Sequence, residues 1–229
     1  MIRIGVAGAG RMGQAMQQAI EAAEGVCLSQ MWARGEAIDE VVAESDVLVD
    51  FSLPEANAEI LAAVCSHTTP LVCGVSGLDA GQMAVMQQAA DVIPVVFDRN
   101  MSQGITILED IVRRAAASLG PEFAAEIHEI HHVHKLDSPS GTALKLGESI
   151  AAARAIDDAS DAVQYQVERC GENPGEHTVV LSSPTETLTL RHSVSNRQVF
   201  AEGALRAARW VAKQPPGLYQ MRDVLFVDA

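Results

Sequence analysis

The sequence has few basic residues, no long uninterrupted apolar stretch and no closely spaced cysteine pair. Lysine and arginine total 16 of the 229 residues, against 30 aspartates and glutamates, for a formal net charge of −14. This balance disfavours nucleic acid and anionic membrane surfaces as partners, because both would repel the chain. Every window of about 20 residues contains charged or polar interruptions, so no transmembrane helix is expected.

The N-terminus and the cysteines both predict a cytoplasmic location. The first four residues run directly into a strand-like pattern, without the basic start, apolar stretch and cleavage site of a secretory signal. Cys27, Cys65, Cys73 and Cys170 form no C-x-x-C motif, and three of them lie in apolar runs. We therefore expect buried free thiols in a reducing compartment.

Alternating strand and helix patterns predict a parallel, Rossmann-like sheet in the first half of the chain. Hydrophobic residues make up 48% of the sequence, which is enough for a substantial core. Strands are expected at residues 2–7, 26–32, 46–51, 70–75 and 92–97, with helices at 11–23, 54–66 and 80–90. Strands that alternate with helices imply right-handed crossovers and a parallel sheet.

The pattern changes after about residue 100 and predicts a second α+β region with a mixed or antiparallel sheet. Helices are expected at residues 105–119, 141–156 and 203–213, and strands at 124–133, 163–169, 177–183 and 186–194. Ser183-Pro184-Thr185 predicts a hairpin connection between the last two strands. The acidic stretch at residues 157–161 is interpreted as a solvated loop.

A glycine-rich turn after the first strand predicts a dinucleotide site. Its residues are Gly8, Ala9, Gly10, Arg11, Met12 and Gly13, which match G-x-G-x-x-G. The first glycine permits the tight turn, the second lets a pyrophosphate approach the backbone, and the third allows close packing of helix on strand. The helix that follows offers free N–H groups and a favourable dipole to phosphate. A purely structural turn is the alternative.

The end of the second strand bears on the choice between NAD and NADP. An acidic residue there would bind the ribose 2′-hydroxyl of NAD, whereas an arginine suits the 2′-phosphate of NADP. The chain has Arg34 at this point and no carboxylate before Glu36. Arg34 is therefore a candidate NADP ligand, with a surface arginine in a turn as the alternative.

Four of the seven histidines lie between residues 128 and 134, and two kinds of site compete to explain them. His128, Glu129 and His132 match the zinc motif H-E-x-x-H, which works only on a helix. The upstream residues alternate like a strand, which would hold the two histidines about 13 Å apart. We therefore predict no metal site.

The second interpretation is an acid–base site beside an anion pocket. In an extended segment His131, Val133 and Lys135 would share one side, which places a proton donor near a positive charge. Ser140-Gly141-Thr142 is typical of a helix start, whose free N–H groups could bind a carboxylate. The alternative, a solvated polar strand, explains this density of histidine, lysine and capping residues poorly.

The same segment carries a family resemblance. Residues 129–143, EIHHVHKLDSPSGTA, resemble the signature E-x-x-H-x-x-K-x-D-x-P-S-G-T-A of the 4-hydroxy-tetrahydrodipicolinate reductase (dihydrodipicolinate reductase) family. Shorter matches occur throughout the chain: Gly10-Arg11-Met12-Gly13, Asp50-Phe51-Ser52, Gly74-Val75-Ser76-Gly77, Asn100-Met101-Ser102, Gly175-Glu176-His177-Thr178 and Met221-Arg222-Asp223-Val224-Leu225.

The resemblance implies an NAD(P)H-dependent reductase of a cyclic dicarboxylate in diaminopimelate and lysine biosynthesis, usually a homotetramer. It implies a dinucleotide-binding domain at residues 1–102, rejoined by 198–229, and a substrate-binding and oligomerisation domain at 103–197. His131 would donate the proton, Lys135 would share the acid work, and His132, Gly141 and Thr142 would contact substrate. Cofactor contacts would fall at the glycine turn and at Arg34, Gly74, Val75, Ser76, Asp98, Arg99, Asn100 and Met101, with NADPH favoured over NADH.

The chain departs from the family pattern near the cofactor. The glycine turn is one residue shorter than usual and the segment from Arg34 to Asp46 is shortened. Val75 stands where threonine is common, and Asp98-Arg99 replaces two small residues. Two alternatives therefore stay open: a Rossmann-type reductase of another small anionic imine or carbonyl, and a non-catalytic NADP-binding sensor.

Overall fold

The chain folds into two units, each with its own sheet. The computed structural model describes residues 1–226. The first unit consists of Met1–Gln103 together with the described residues from Arg197 onward, and the second consists of Gly104–Asn196. The first unit is therefore made from two separate stretches of chain, with the second unit inserted between them.

The sheet of the first unit is parallel and has six strands. Their order across the sheet is β10-β5-β4-β3-β1-β2, and every pair of neighbours runs in the same direction. The strands are β1 (Ile2–Ala7), β2 (Val26–Trp32), β3 (Val47–Asp50), β4 (Leu71–Cys73), β5 (Pro94–Phe97) and β10 (Gly217–Tyr219). All four residues of β3 are buried: the apolar run 47–49, as predicted for a central parallel strand, and Asp50 at its end.

Helices cover both faces of this sheet. They are α1 (Arg11–Glu21), α2 (Ile38–Ala43), α3 (Asn57–His67), which a 3₁₀ turn at Pro54–Ala56 precedes, α4 (Ala80–Ala90), α8 (Gln198–Val211) and α9 (Met221–Leu225). One core cluster lies between the sheet and helices α1 and α8, and a second lies under α2, α3 and α4. The sequence prediction of a Rossmann-like parallel sheet is confirmed.

The sheet of the second unit has four strands of mixed direction. The order is β7-β6-β8-β9, in which β6 and β7 are parallel and the other two pairs are antiparallel. The strands are β6 (Ala124–His131), β7 (Gln164–Arg169), β8 (Glu176–Ser182) and β9 (Thr187–Ser193), and the helices are α5 (Gln103–Leu119), α6 (Gly141–Ala153) and α7 (Ala159–Ala162). The predicted mixed sheet is confirmed.

Alternate residues of β6 face the core of the second unit. Ala125, Ile127, Glu129 and His131 are buried, whereas the residues between them are exposed or half-buried. The apolar members pack against the long helix α5 and against α6 in one core cluster. This period-two pattern places a glutamate and a histidine on the buried face at the carboxyl end of the strand.

Several predicted boundaries are wrong. Strand β6 ends at His131 rather than at Val133, because the chain turns there and the Lys135 N–H donates to the His132 carbonyl at 3.2 Å. Helix α6 ends at Ala153 instead of residue 156, and α8 begins at residue 198 instead of 203. The acidic stretch is not purely a loop, since α7 forms within it.

Two further findings concern the cysteines and membrane crossing. All four cysteines are free, but only Cys73 is buried; Cys27 and Cys65 are half-buried and Cys170 is exposed. The expectation of buried thiols is therefore wrong for Cys170, which follows the last residue of β7 at the edge of the sheet. Within residues 1–226, no helix has both the length and the apolar character needed to cross a membrane.

Candidate active site

In the first unit, the glycine turn lies at the carboxyl end of β1, beside the end of β3. Gly8 has φ of +106°, a left-handed conformation, and a β-carbon there would lie 2.6 Å from the Phe51 carbonyl oxygen. Gly10 is the N-cap of α1. Gly13 is buried in the first turn of α1, where a β-carbon would collide with the Gly8 carbonyl. The turn is therefore fixed by backbone sterics at two of its glycines.

The middle glycine of the motif, Gly10, has open space beside it. A β-carbon at Gly10 would meet no heavy atom within 4 Å. The first turn of α1 contains Arg11 and Met12 and carries no acidic side chain that would repel phosphate. The buried hydroxyl oxygen of Ser52, just beyond β3, has no hydrogen-bond partner among residues 1–226. Open backbone, an unopposed helix N-terminus and an unsatisfied hydroxyl fit a dinucleotide.

The end of β2 holds one residue of each charge. Arg34 is 68% exposed, and its guanidinium lies 3.6 Å from the Glu55 carboxylate, which is 73% exposed. The Glu36 carboxylate turns back to accept the Ala33 N–H at 3.0 Å, and its carbonyl accepts the Trp32 indole N–H at 2.9 Å. A carboxylate thus stands at the strand end, which the sequence analysis did not anticipate because Glu36 lies four residues past β2.

The other predicted cofactor residues lie at the ends of β4 and β5. A β-carbon at Gly74 would collide with the Phe51 ring, whereas Ser76 is exposed. Val75 and Met101 are buried in the two core clusters of this unit, so their side chains are not open to a ligand.

The segment after β5 is held by its own polar groups. Asp98 is buried and accepts the Met221 N–H at 3.3 Å, while the Asn100 side chain accepts the Ser102 N–H at 2.9 Å. Arg99 is exposed. These contacts give Asp98 a structural role at the start of α9. The fold therefore accommodates an aspartate where the family usually has a small residue.

In the second unit, a cluster of ionisable side chains lies on the buried face of the sheet. Glu129 and His131 lie at the end of β6, of which His131 is the final residue. Arg169 is the last residue of β7, and His177 is the second residue of β8. The register pairs His131 with Arg169 across one side of β6 and Glu129 with His177 across the other. Ser140, the N-cap of α6, completes the cluster.

Glu129 is the centre of this cluster. Its side chain is fully buried and accepts hydrogen bonds from His131 Nδ1, from Arg169 Nη2 at 3.1 Å and from the Ser140 N–H at 3.1 Å. Burial alone would raise the pKa of Glu129, but the bonds from His131 and Arg169 outweigh it and lower the pKa to about 2. The carboxylate is therefore ionised across the physiological range.

His177 meets His131 edge to face, with ring centroids 5.1 Å apart. Its Nε2 lies 3.1 Å from the Ser140 hydroxyl, which also accepts the Ala143 N–H at 3.2 Å. Burial, together with the charge on His131, lowers the pKa of His177 to about 3. His177 is therefore neutral at neutral pH, and a hydrogen bond joins its Nε2 to the Ser140 hydroxyl.

The segment after His131 turns instead of continuing as a strand, so the predicted alignment of His131, Val133 and Lys135 on one side is wrong. Val133 is 55% exposed. His132 is half-buried, and His134 is exposed beside Glu172, with its Nε2 3.2 Å from the carboxylate. The positive charge of Lys135 is nevertheless close enough to the cluster to contribute to the lowered pKa of His177.

Lys135 and the first residue of α6 both contact one carboxylate of the chain itself, that of Asp137. Gly141 and Thr142 are the first two residues of α6 and are half-buried. Lys135 Nζ lies 2.8 Å from Asp137 Oδ2. Burial raises the pKa of Asp137, but the Lys135 ammonium outweighs it and the Gly141 N–H adds to the lowering. The predicted anion pocket is thus already faced by a carboxylate of the chain itself.

The histidines do not form the zinc motif, because residues 128–131 belong to a strand. His128 lies on the opposite face of β6 from Glu129 and bonds to Glu126 at 3.1 Å. The ligand atoms of Glu129, His131 and His177 do lie within 4.8 Å of one another. Since the Arg169 cation already contacts that carboxylate, we interpret this group as a hydrogen-bonded network.

Sequence reasoning gave no role to Glu129, Arg169 or Ser140 in this cluster. The alternation of β6 carried a usable signal for Glu129, since it shares its face with His131. Arg169 carried none, because it comes from a strand 40 residues further along the chain, and only the register of β6 with β7 brings it near.

Comparison with known proteins gives consistent matches over nearly the whole chain. The family model described as dihydrodipicolinate reductase, N-terminus, matches residues 2–101, and the one described as dihydrodipicolinate reductase, C-terminus, matches residues 104–225. The 4-hydroxy-tetrahydrodipicolinate reductase of Pseudoalteromonas translucida is 38% identical over 97% of both chains. That of Halorhodospira halophila is 41% identical over 84% of this chain and 78% of its own.

Solved structures agree on the fold. The dipicolinate-bound dihydrodipicolinate reductase from Paenisporosarcina sp. TG-14 has a TM-score of 0.79 at 23% identity, covering 96% of this chain and 97% of its own. The two family models together span nearly all described residues, and curated relatives exceed one third identity at nearly full length. The chain therefore belongs to the dihydrodipicolinate reductase family.

Proposed function

We propose that the protein catalyses the NAD(P)H-dependent reduction of 4-hydroxy-tetrahydrodipicolinate to tetrahydrodipicolinate, in diaminopimelate and lysine biosynthesis. The observation that carries this function is the buried Glu129–His131 pair, which lies within the family signature beside the N-terminus of α6. A proton donor next to a cation and the N-terminus of a helix is the equipment that reduction of a small dicarboxylate requires.

His131 is proposed to supply the proton that completes the reduction. The substrate loses water and accepts hydride at ring C4, and the bound cofactor supplies that hydride. Nδ1 of His131 is engaged by Glu129, which leaves Nε2 to face the reacting molecule. A β-carbon at Gly175 would lie 3.1 Å from Nε2, so the glycine keeps the approach to this nitrogen open.

The substrate carboxylates are proposed to bind at the start of α6. Gly141 and Thr142 are the first two residues of this helix, where the Gly141 N–H bonds to the Asp137 carboxylate and the Ser140 hydroxyl accepts the Ala143 N–H. Lys135 and His132 would contribute positive charge and a further hydrogen bond. Because Lys135 is held by Asp137, substrate binding would have to exchange one carboxylate partner of the lysine for another.

Both nicotinamide cofactors are proposed to serve, with NADPH modestly favoured. The family uses NAD(P)H, and the first unit presents the glycine turn and open edge that such a cofactor needs. Arg34 supports binding of a 2′-phosphate, because its pairing with Glu55 is exposed and weak. The Glu36 carboxylate at the same strand end supports binding of the ribose hydroxyls of NADH.

A homotetramer located in the cytoplasm is the proposed working form. Support comes from the face of the second sheet that is turned away from its core. Ile130 and Val180 are only half-buried there, next to exposed polar residues of β7 and β9. Such a face favours pairing with an identical sheet. Sedimentation equilibrium should give a mass of four chains, and a monomer would contradict the assembly.

The direct test is to follow NADPH absorbance while the pathway synthase generates the unstable substrate in the cuvette. Oxidation of NADPH that depends on both the synthase and this protein supports the function. Pyridine-2,6-dicarboxylate, a planar analogue, should compete with substrate. Tight NADPH binding without turnover would identify a sensor instead, whereas turnover of other small imines or carbonyls alone would identify a different reductase.

A further inference from the structure

Glu129 has a contact set that exceeds what a structural glutamate needs. Three donors reach its carboxylate from three parts of the second unit: His131 on the same strand, Arg169 on β7 and the backbone N–H of Ser140 before α6. The Glu129 side chain is 0% exposed, and that of His131 is 9% exposed. A carboxylate that is buried this deeply and bonded on both oxygens has a fixed position.

The charge state of Glu129 determines which nitrogen of His131 carries a hydrogen. Arg169 compensates the carboxylate, which keeps it ionised. An ionised carboxylate can only accept hydrogen bonds, so Nδ1 of His131 must present an N–H to it in both protonation states of the ring. Nε2 is then the nitrogen that gains and loses a proton. A histidine with a free choice of tautomer would spend part of its time with the wrong nitrogen protonated.

The other groups that face His131 do not disturb this arrangement. His177 on β8 is held neutral and places its ring edge to face, so it adds no repelling charge. A hydrogen bond between the Ser140 hydroxyl and Nε2 of His177 anchors that second ring. Arg169 on β7 and Lys135 in the turn also carry charge, and each has a carboxylate partner within residues 1–226, Glu129 and Asp137 respectively.

We propose that Glu129 is the positioning residue of the proton donor: its buried carboxylate orients His131 and fixes the imidazole with Nδ1–H inward and Nε2 outward. This role rests on the proposed function for its catalytic consequence, because it matters to turnover only if His131 delivers the proton. The orientation and tautomer are properties of the resting protein and stand apart from turnover. Glu129 itself touches no reacting atom in this scheme.

The sequence provides a matched control on the same strand. Glu126 and His128 form a second glutamate–histidine pair with the same spacing, at 3.1 Å, on the opposite face of β6. Their side chains are 36% and 40% exposed, so solvent screens the pair and neither ring nitrogen is fixed. Glu126→Gln therefore removes the same charge from the same strand without touching the buried network.

The experiment compares Glu129→Gln, Glu129→Asp and Glu126→Gln in the full-length protein. Glu129→Gln should lower kcat about 10- to 100-fold, which is a large part of what an oriented general acid contributes. The KM for substrate and the Kd for NADPH should stay within a few-fold of the parent. Glu129→Asp should recover part of the loss, and Glu126→Gln should change nothing.

Nitrogen-15 NMR of His131 gives a readout that does not depend on activity. The neutral ring of the parent should carry its hydrogen on Nδ1, and Glu129→Gln should shift it toward Nε2. If the parent ring carries its hydrogen on Nε2, the proposal is wrong, even should Glu129→Gln fail to fold. A folded Glu129→Gln with parental kcat and tautomer would also overturn it. A parent with the expected tautomer but no turnover would instead contradict the proposed reaction.

Discussion

A buried carboxylate in the first unit and another in the second have pKa values that are shifted in opposite directions. Asp50 ends β3 and is fully buried, and its partners among residues 1–226 are the Ser52 N–H at 2.8 Å and the Cys73 thiol at 3.9 Å. Burial outweighs these bonds and raises the pKa of Asp50 to about 6. Glu129 is equally buried, but its pKa falls to about 2 because a histidine and an arginine contact it. Neutral donors alone do not compensate for desolvation, whereas cations do.

The same contrast separates the two sites. In the first unit the candidate cofactor site is shaped by backbone, at glycines whose replacement would strike Phe51 or Gly8. In the second unit the site is built from side-chain charges that compensate one another. We therefore expect substitutions that add side-chain bulk to damage the first site. Substitutions that remove a charge should damage the second.

The largest effect is expected from His131→Gln. Glutamine keeps polarity and approximate size but cannot deliver a proton at neutral pH, so kcat should fall about 10²–10⁴-fold. NADPH affinity should not change, because the cofactor is expected on the first unit. His134→Gln is the control, since His134 is 67% exposed beside Glu172. Turnover of His131→Gln within a few-fold of the parent across pH 6 to 8 would mean that another group is the acid.

Gly13→Ala and Gly10→Ala should separate fold from cofactor binding. A β-carbon at Gly13 would strike the Gly8 carbonyl, so Gly13→Ala should cost about 1–3 kcal/mol of unfolding free energy as well as NADPH affinity. A β-carbon at Gly10 meets no protein atom, so Gly10→Ala should keep the melting temperature and lose roughly tenfold in NADPH affinity, or about 1.4 kcal/mol. Equal melting temperatures for both variants would contradict the steric argument.

Arg34→Ala should distinguish the two cofactors. Loss of a charge-assisted phosphate contact should weaken NADPH by about 1–3 kcal/mol and leave NADH nearly unchanged. Glu55→Gln is the complementary change, because it frees the guanidinium from its exposed partner and should favour NADPH slightly. Titration of both cofactors by fluorescence measures the difference. Equal losses for NADPH and NADH in Arg34→Ala would remove the phosphate role.

The last prediction concerns stability against pH and not turnover or cofactor binding. Because the pKa of Asp50 is raised to about 6 in the folded state, its contribution to stability is present at low pH and is lost as the pH rises through that value. Asp50→Asn imitates the protonated carboxyl. The unfolding free energy of the variant relative to the parent should therefore rise between pH 4 and 6, by about 1 kcal/mol per pH unit, and level off above pH 6. Urea titrations across this range would show a flat difference if Asp50 ionised normally.

Much of the fold could be predicted from the sequence, because apolar runs and the glycine turn are local signals. The elements that were missed are short: α2 has six residues, and β10 has three that follow Pro215-Pro216. Their stability comes from neighbours, as when β10 pairs with β5. Position along the chain gives no sign of such partners.

The candidate active site was predictable in its residues and not in its geometry. His131 and Lys135 were named from a dense motif, but their shared side was argued from a strand that ends too early. Arg169 and the neutral state of His177 depend on strand register and burial, which sequence spacing does not report. Glu129 lay within reach, since its parity with His131 on β6 was already available.

The divided first unit also constrains how the protein is synthesised. Helix α8 packs against α1 and against β3, β4 and β5, and β10 completes the sheet edge. Both elements leave the ribosome only after the whole second unit. Until then the nascent sheet has an uncovered apolar face and an open edge, which favour chaperone capture or misassembly. The second unit is made from one continuous stretch of chain and can fold earlier. In ribosome-bound chains it should therefore become resistant to protease before the N-terminal strands of the first unit do.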